Sequence, residues 1–377
     1  MLSLRPLCEK LNREGEQAAL ERRELGCRST NARRTAPCAE GRRRPPCRGS
    51  KKSLKQRIAK SMTKFAVYVA ERRKVAQDIV SLKLVRADGQ QLPPFSAGAH
   101  VDVSLPNGFV RQYSLCNGPG EYDHYEIAVL RALSSRGGSV YINEKVSVGD
   151  KLMISEPRNA FPLTHRDRTI LVAGGIGVTP LLSMAKHLAV AGSDFTLHYC
   201  ARSAAQAAFC ADLRGTSFAS RVHFHFDDGA PDQRLDLMQA LGAPLPGVDV
   251  YLCGPTGFIE FVQGGAMKAG FQPSQIHVEH FSPQLQTNAS DQPFTIEIAS
   301  TGQKVFVAAD QTAVQALAAA GIDVLTSCEQ GFCGTCVTQV LSGLCDHRDI
   351  CLSAEEREKA FTPCCSRAIT PHLVIDL

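Results

Sequence analysis

The chain has 377 residues, of which 44% are hydrophobic and 15 are cysteine, and it carries a formal net charge of +5. That length supports two or three domains with packed cores and excludes a lone small electron carrier. The charge is an average of unlike parts: residues 1–61 hold 17 Lys and Arg against 6 Asp and Glu, a net of +11, which leaves −6 for the remainder.

Residues 1–61 read as a basic, disordered extension. Arg42-Arg43-Arg44-Pro45-Pro46 and Cys8, Cys27, Cys38 and Cys47 sit in sequence with little apolar periodicity. A transit peptide would be poor in acids, yet Glu9, Glu14, Glu16, Glu21 and Glu24 all fall here. The reading favours an extension outside the working protein, which then starts near Met62, over an arm that binds nucleic acid or membrane. No apolar signal-peptide core and no run of eighteen apolar residues is present, so the expectation is a cytoplasmic protein with reduced cysteines and no membrane or nucleic-acid partner.

Residues 62–163 carry short alternating segments: Phe65 to Val69, Ile79 to Leu84, His100 to Leu105, Arg111 to Leu115 and Tyr125 to Leu130. Pro93-Pro94, Pro106-Asn107-Gly108 and Asn117-Gly118-Pro119-Gly120 punctuate them, and this spacing predicts a small antiparallel β-barrel. Alternation sends Arg111 and Tyr113 to one face, a cation beside an aromatic ring and suited to a phosphate-bearing cofactor. Taken alone, the same pattern fits an exposed strand face with a core tyrosine. Arg136-Gly137-Gly138-Ser139, ahead of a predicted helix, offers N–H groups, a hydroxyl and a second cation as a phosphate cradle.

Residues 164–281 change style to apolar strands alternating with helical stretches, which predicts a parallel sheet with crossover helices. The predicted strands are Thr169 to Ala173, Thr196 to Cys200, Arg221 to Phe226, Asp249 to Cys253 and Gln275 to His280, with helices starting near Thr179 and Thr256. Gly174, Gly175 and Gly177 lead the first strand into Thr179-Pro180, where a pyrophosphate meets a helix N-terminus. The third glycine of the dinucleotide fingerprint is absent, so a plain strand-to-helix turn is the competing reading. Cys253-Gly254-Pro255 supports a ligand site by ending the fourth strand at the same sheet edge. Arg202-Ser203 follows the second strand, where ribose or a 2′-phosphate is read. No acidic residue stands beside it in sequence, so charge leaves NADH against NADPH open.

Residues 282–293 have almost nothing to bury and are expected to be a linker. In residues 294–377 a hairpin, Phe294 to Ile298 and Lys304 to Val307, precedes an Ala-rich helix from Thr312 to Ala320, and Leu373 to Ile375 returns as a final strand. Between them Cys328, Cys333 and Cys336 stand as Cys-x4-Cys-x2-Cys, and Cys364-Cys365 follows about thirty residues later. This is plant-type [2Fe-2S] spacing, three thiolates on one loop and a fourth returned by the fold. Structural zinc usually takes two Cys-x2-Cys pairs, and one is present. Neighbours on an extended segment point opposite ways, so only one of Cys364 and Cys365 serves as ligand.

Taken in order, Arg-x-Tyr-Ser at 111–114, Gly-Gly-Ser at 137–139, Gly-Gly-Ile-Gly-Val-Thr-Pro at 174–180, Cys-Gly-Pro at 253–255 and the cysteine loop resemble the phthalate dioxygenase reductase family. The likeness spans about residues 62–377 and is greatest to the family's vanillate O-demethylase oxidoreductase branch. It implies a multidomain chain: an FMN-binding antiparallel β-barrel, an NAD-binding α/β domain and a C-terminal α+β [2Fe-2S] ferredoxin-like domain. It implies that Arg111, Tyr113 and Ser114 hold FMN, that Ala128 and Val129 lend backbone contacts and that Gly137, Gly138 and Ser139 grip its phosphate. Gly175, Thr179, Cys253 and Pro255 would line the nicotinamide path, with Phe281 near the flavin. The family places its fourth ligand before a Val-Ser-Arg sequence, which maps Cys364 onto the cluster. It makes Asp346-His347-Arg348-Asp349 a structural segment. Cys345 stands where the family usually has proline, and Cys351 is a further extra thiol.

The implied activity is that of a monomeric NADH-dependent reductase component serving a Rieske-type aromatic oxygenase or O-demethylase in aromatic compound catabolism. NADH delivers two electrons as a hydride and a Rieske centre takes them singly, so a flavin is needed as adaptor. A plant-type cluster near roughly −400 mV can then reduce a Rieske acceptor at about −150 mV or above. The task is positioning, and no acid–base residue is assigned. The competing readings are a reductase serving another acceptor and a non-catalytic redox-sensing or zinc-binding module.

Overall fold

A computed structural model describes residues 64–132, 137–281, 288, 290–331 and 333–377. The expected basic extension and most of the expected linker lie outside the described residues.

The first sheet contains β1 (Lys64–Ala76), β2 (Ile79–Arg86), β3 (His100–Ser104), β4 (Val110–Ser114), β5 (Tyr125–Leu130) and, after helix α1 (Gly138–Lys145), β6 (Lys151–Ser155). Its order is β4-β3-β6-β1-β2-β5, every pairing is antiparallel, and a bridge between Leu115 and Ile127 joins its ends into the expected barrel. Val67, Leu82, Val101, Ile127 and Ile154 fill the interior, as strand alternation requires. Two features differ from expectation. β1 continues through polar Glu71-Arg72-Arg73-Lys74 because two bulges keep it paired with β2, and β6 pairs with both β1 and β3 although only five residues long.

The second sheet is parallel, in the order β11-β10-β7-β8-β9. It is made of β7 (Arg168–Gly174), β8 (Asp194–Ala201), β9 (Val222–Phe226), β10 (Val248–Cys253) and β11 (Ile276–Glu279), with helices α2 (Val178–Val190), α3 (Cys210–Arg214), α4 (Leu237–Leu241) and α5 (Thr256–Ala269). All six residues of β10 are buried, which a strand covered on both faces demands. Strand order reverses between β7 and β10, so their carboxyl ends frame a crevice at a topological switch point. One apolar cluster runs from barrel residues Ile79, Cys116 and Ala128 into Leu171, Leu181 and Tyr199 of this layer, and the Ser183 hydroxyl donates to the Asn117 carbonyl. Barrel and parallel sheet therefore share a core.

The third sheet is β13-β12-β18-β14-β16, from β12 (Phe294–Ile298), β13 (Lys304–Val307), β14 (Thr338–Ser342), β16 (Ala360–Phe361) and β18 (His372–Asp376); β15 (Cys345–Asp346) pairs separately with β17 (Arg367–Ala368). Helix α6 (Ala313–Ala319) is held at its start by a capping box in which Thr312 and Gln315 serve each other's backbone, and a short helix α7 covers Ala354–Arg357. Ile296, Leu317, Phe361 and Ile375 build its core. Among the described residues no helix is long and apolar enough to cross a membrane.

Candidate functional site

A cleft of about 610 Å³ lies where the three layers meet. β4 contributes Arg111, Tyr113 and Ser114, β5 contributes Ala128, and α1 contributes Ser139. Thr179 enters from the start of α2, Glu279, His280 and Phe281 from the end of β11, and the cysteine loop closes the cleft with Cys328. Its size suits one cofactor-sized ligand. Arg111 packs its stem against Gly138, where an added Cβ would come within 2.8 Å of the side chain, so the arginine and the α1 N-terminus face the same end. There a guanidinium, the Ser139 hydroxyl and a helix N-terminus suit a phosphate. Val129 points into the barrel core and offers its backbone alone, its carbonyl already accepting from Asn143 Nδ2. Arg136 lies outside the described residues.

Thr179 stands second in α2 and its hydroxyl donates to the Ile176 carbonyl. Gly177 is required by close approach: an added Cβ would stand 2.3 Å from the Cys253 carbonyl oxygen and 2.7 Å from the Gly254 nitrogen. The glycine turn is thus pressed against Cys253-Gly254, and the two motifs form one crevice floor. Gly174 packs against the Phe258 ring, while Gly175 turns through a φ of 55° into open space. Pro255 precedes α5 as its N-cap. Arg202 is exposed past the end of β8, and the fold brings to it residues distant from it in sequence. Acidic residues do stand beside it, because Asp227 and Asp228 leave β9 with their N–H groups donating to the carbonyls of Ala201 and Arg202, each at 3.1 Å.

Sequence reasoning missed Glu279. Burial pushes its carboxyl up to about 8, against a smaller downward pull from the Ser114 hydroxyl bonded to it. Its Oε2 is buried with no hydrogen-bond partner among the described residues. Glu279 as a whole keeps partial exposure toward the cleft. An orphaned polar atom there fits a site whose occupant supplies the partner.

The cysteine loop presents backbone N–H groups to sulfur. Cys328 N and Thr335 N each lie 3.5 Å from Cys333 Sγ, and Gln330 N lies 3.4 Å from Cys328 Sγ. Such bonds favour thiolate over thiol and suit a negatively charged iron–sulfur centre. The thiols meet in two pairs, Cys328 with Cys333 and Cys336 with Cys364. Among the described residues no three donors close on a single metal ion. Two pairs are what two irons require. Cys364 also touches Cys365, whose sulfur turns toward the Thr362 hydroxyl at 3.2 Å and packs over Gly331, where any Cβ would meet it at 2.6 Å. His347 bonds Asp349 and the Arg357 carbonyl, a structural arrangement.

Residues 296–369 match the model of the 2Fe-2S iron-sulfur cluster binding domain. The chain is 51% identical over 314 residues to the vanillate O-demethylase oxidoreductase of Pseudomonas sp. (strain HR199 / DSM 7063), covering 82% of this chain and 99% of that protein. It is 39% identical to the phthalate dioxygenase reductase of Burkholderia cepacia, over 82% of this chain and 96% of the other. A solved phthalate dioxygenase reductase, described as a modular structure for electron transfer from pyridine nucleotides to [2Fe-2S], superposes with a TM-score of 0.62 at 37% identity, covering 85% of this chain and 99% of its own. The chain belongs to the phthalate dioxygenase reductase family. It is therefore an electron-transfer oxidoreductase with a barrel, a nucleotide-binding layer and a C-terminal [2Fe-2S] domain.

In this reductase the motifs read from sequence converge at the layer junction, and the members sequence missed share one trait. Glu279, Asp227 and Asp228 look ordinary in their own segments and gain meaning from neighbours that only the fold supplies. The signal available for Glu279 was a carboxylate set between Val278 and the His280-Phe281 strand end.

Proposed function

We propose that the chain is the NADH-dependent reductase component of a two-component Rieske-type aromatic oxygenase or O-demethylase. The supporting observation is continuity: a single cleft runs from Arg111 and Ser139, past Ser114 and Thr179, to Cys328. When bound there, FMN would accept a hydride and give up its electrons one at a time. In this reading Arg111, Gly137, Gly138 and Ser139 hold the phosphate, Tyr113, Ser114 and the backbone of Ala128 and Val129 orient the ring system, and Phe281 covers it. Gly174, Gly175, Gly177, Thr179, Cys253, Gly254 and Pro255 seat the nicotinamide and pyrophosphate. Arg202, with Asp227 and Asp228 beside it, meets the adenosine ribose, and the carboxylates favour a 2′-hydroxyl over a 2′-phosphate, hence NADH. Cys328 and Cys333 hold one iron, Cys336 and Cys364 the other. The working domains are residues 62–163, 164–281 and 294–377, in a cytoplasmic monomer. The vanillate O-demethylase oxidoreductase likeness makes a demethylase the first partner to test.

Cys333→Ser tests the electron path. NADH-dependent reduction of ferricyanide, which can draw on the flavin, is expected to survive within about twofold, while cytochrome c reduction falls by about a hundredfold. Cytochrome c reduction that survives the substitution contradicts the proposed route.

A further inference from the structure

The cysteine loop closes the cleft from the side of the C-terminal domain. Among the described residues, the hydrophobic clusters of the C-terminal domain contain no side chain from the barrel or the parallel sheet, whereas those two layers share a core. Hydrogen bonds do reach across. The Ser327 hydroxyl donates to Asp102 Oδ1 at 3.1 Å, joining residues 225 positions apart, and Gln330 Nε2 donates to the His280 carbonyl at 2.8 Å. The two anchors flank Cys328.

The Asp102 end is built for this. Asp102 lies on β3 with about 1% of its surface exposed, and its other oxygen takes an ion pair from Arg158 at 2.7 Å. The Arg158 and His100 backbones exchange N–H···O bonds at 2.8 and 3.0 Å, which ties the arginine to the same strand. A buried carboxylate fixed by an arginine is a rigid, charge-strengthened acceptor. Within the loop, the Thr326 hydroxyl bonds Glu329 Oε1 at 3.0 Å, a contact that does not leave the domain.

We propose that Ser327, held by the Asp102–Arg158 pair, is a positioning residue that docks the cluster loop against the flavin cleft and sets the rate of flavin-to-cluster electron transfer. The step is a one-electron transfer in which the flavin is oxidised by one electron and one ferric iron is reduced, with no heavy-atom bond made or broken. The inference rests on the FMN and [2Fe-2S] reading above.

The test compares Ser327→Ala, Ser327→Thr and Thr326→Ala in the full chain loaded with both cofactors. In Ser327→Ala, the bleaching of cluster absorption after rapid mixing with NADH is expected to slow about tenfold, as loss of a hydrogen bond to a charged acceptor implies. Cluster absorption before mixing should match the wild type. Amide hydrogen exchange across residues 326–331 should speed up in Ser327→Ala, a readout independent of turnover. Ser327→Thr keeps the hydroxyl and is expected to restore both, and Thr326→Ala to leave both near wild type. Wild-type bleaching in Ser327→Ala, unchanged exchange, or an equal effect of Thr326→Ala overturns the proposal while the reductase reading stands. A wild-type chain lacking flavin and cluster bands overturns both.

Discussion

Cys364 and Cys365 touch each other, yet the rest of their company differs: Cys364 also meets Cys336, and Cys365 the Thr362 and Ser366 hydroxyls. Cys364→Ser is therefore expected to lose nearly all visible iron–sulfur absorption, and Cys365→Ser to keep most of it, read from purified protein at equal concentration. Glu279 makes a pH prediction. Its pKa rises from 4.5 to about 8 on folding, so between those values the folded state binds more protons than the unfolded state. Its contribution to stability is full below about pH 4.5 and falls as pH rises toward 8. Glu279→Gln should flatten that decline in a plot of Tm against pH, and an unchanged slope would show that Glu279 is not held protonated.

The β7–α2 turn and the β10–α5 turn meet backbone to backbone at Gly177 and Cys253, so neither can yield cheaply. Gly177→Ala should lower stability by about 3 kcal/mol and raise the KM for NADH. Gly264, inside α5 with open space around it, should respond oppositely, Gly264→Ala adding about 1 kcal/mol through helix propensity. Denaturant unfolding measures both. At the end of β9, Asp227→Asn with Asp228→Asn should reduce the preference for NADH over NADPH about tenfold in kcat/KM, and an unchanged ratio would remove these carboxylates from ribose recognition. Elements were legible where burial imposes a period: β7 reads as an apolar run from Ile170 to Ala173, and β12 alternates, with Phe294, Ile296 and Ile298 turned inward. The second half of β1 was not, because Glu71-Arg72-Arg73-Lys74 takes its place through pairing with β2 and ion pairs such as Arg73 with Glu126 and Asp212. β6 is short and gains its register from two partners.

At the scale of the molecule, the order of three domains was legible because each carries chemistry at fixed spacing, the cysteine loop above all. Their mutual placement was not, since it depends on contacts such as Ser327 with Asp102 that no local pattern announces. The cleft that touches all three layers makes the central claim one of electron capacity: two electrons held by the flavin and one by the cluster in every chain. Anaerobic titration with NADH, followed by flavin and iron–sulfur absorption together, measures that capacity directly. Bleaching of both sets of bands, complete at about 1.5 equivalents of NADH per chain, is expected. A colourless zinc protein, or flavin bands that bleach while the cluster bands persist, would contradict a path from NADH through the cleft to Cys328.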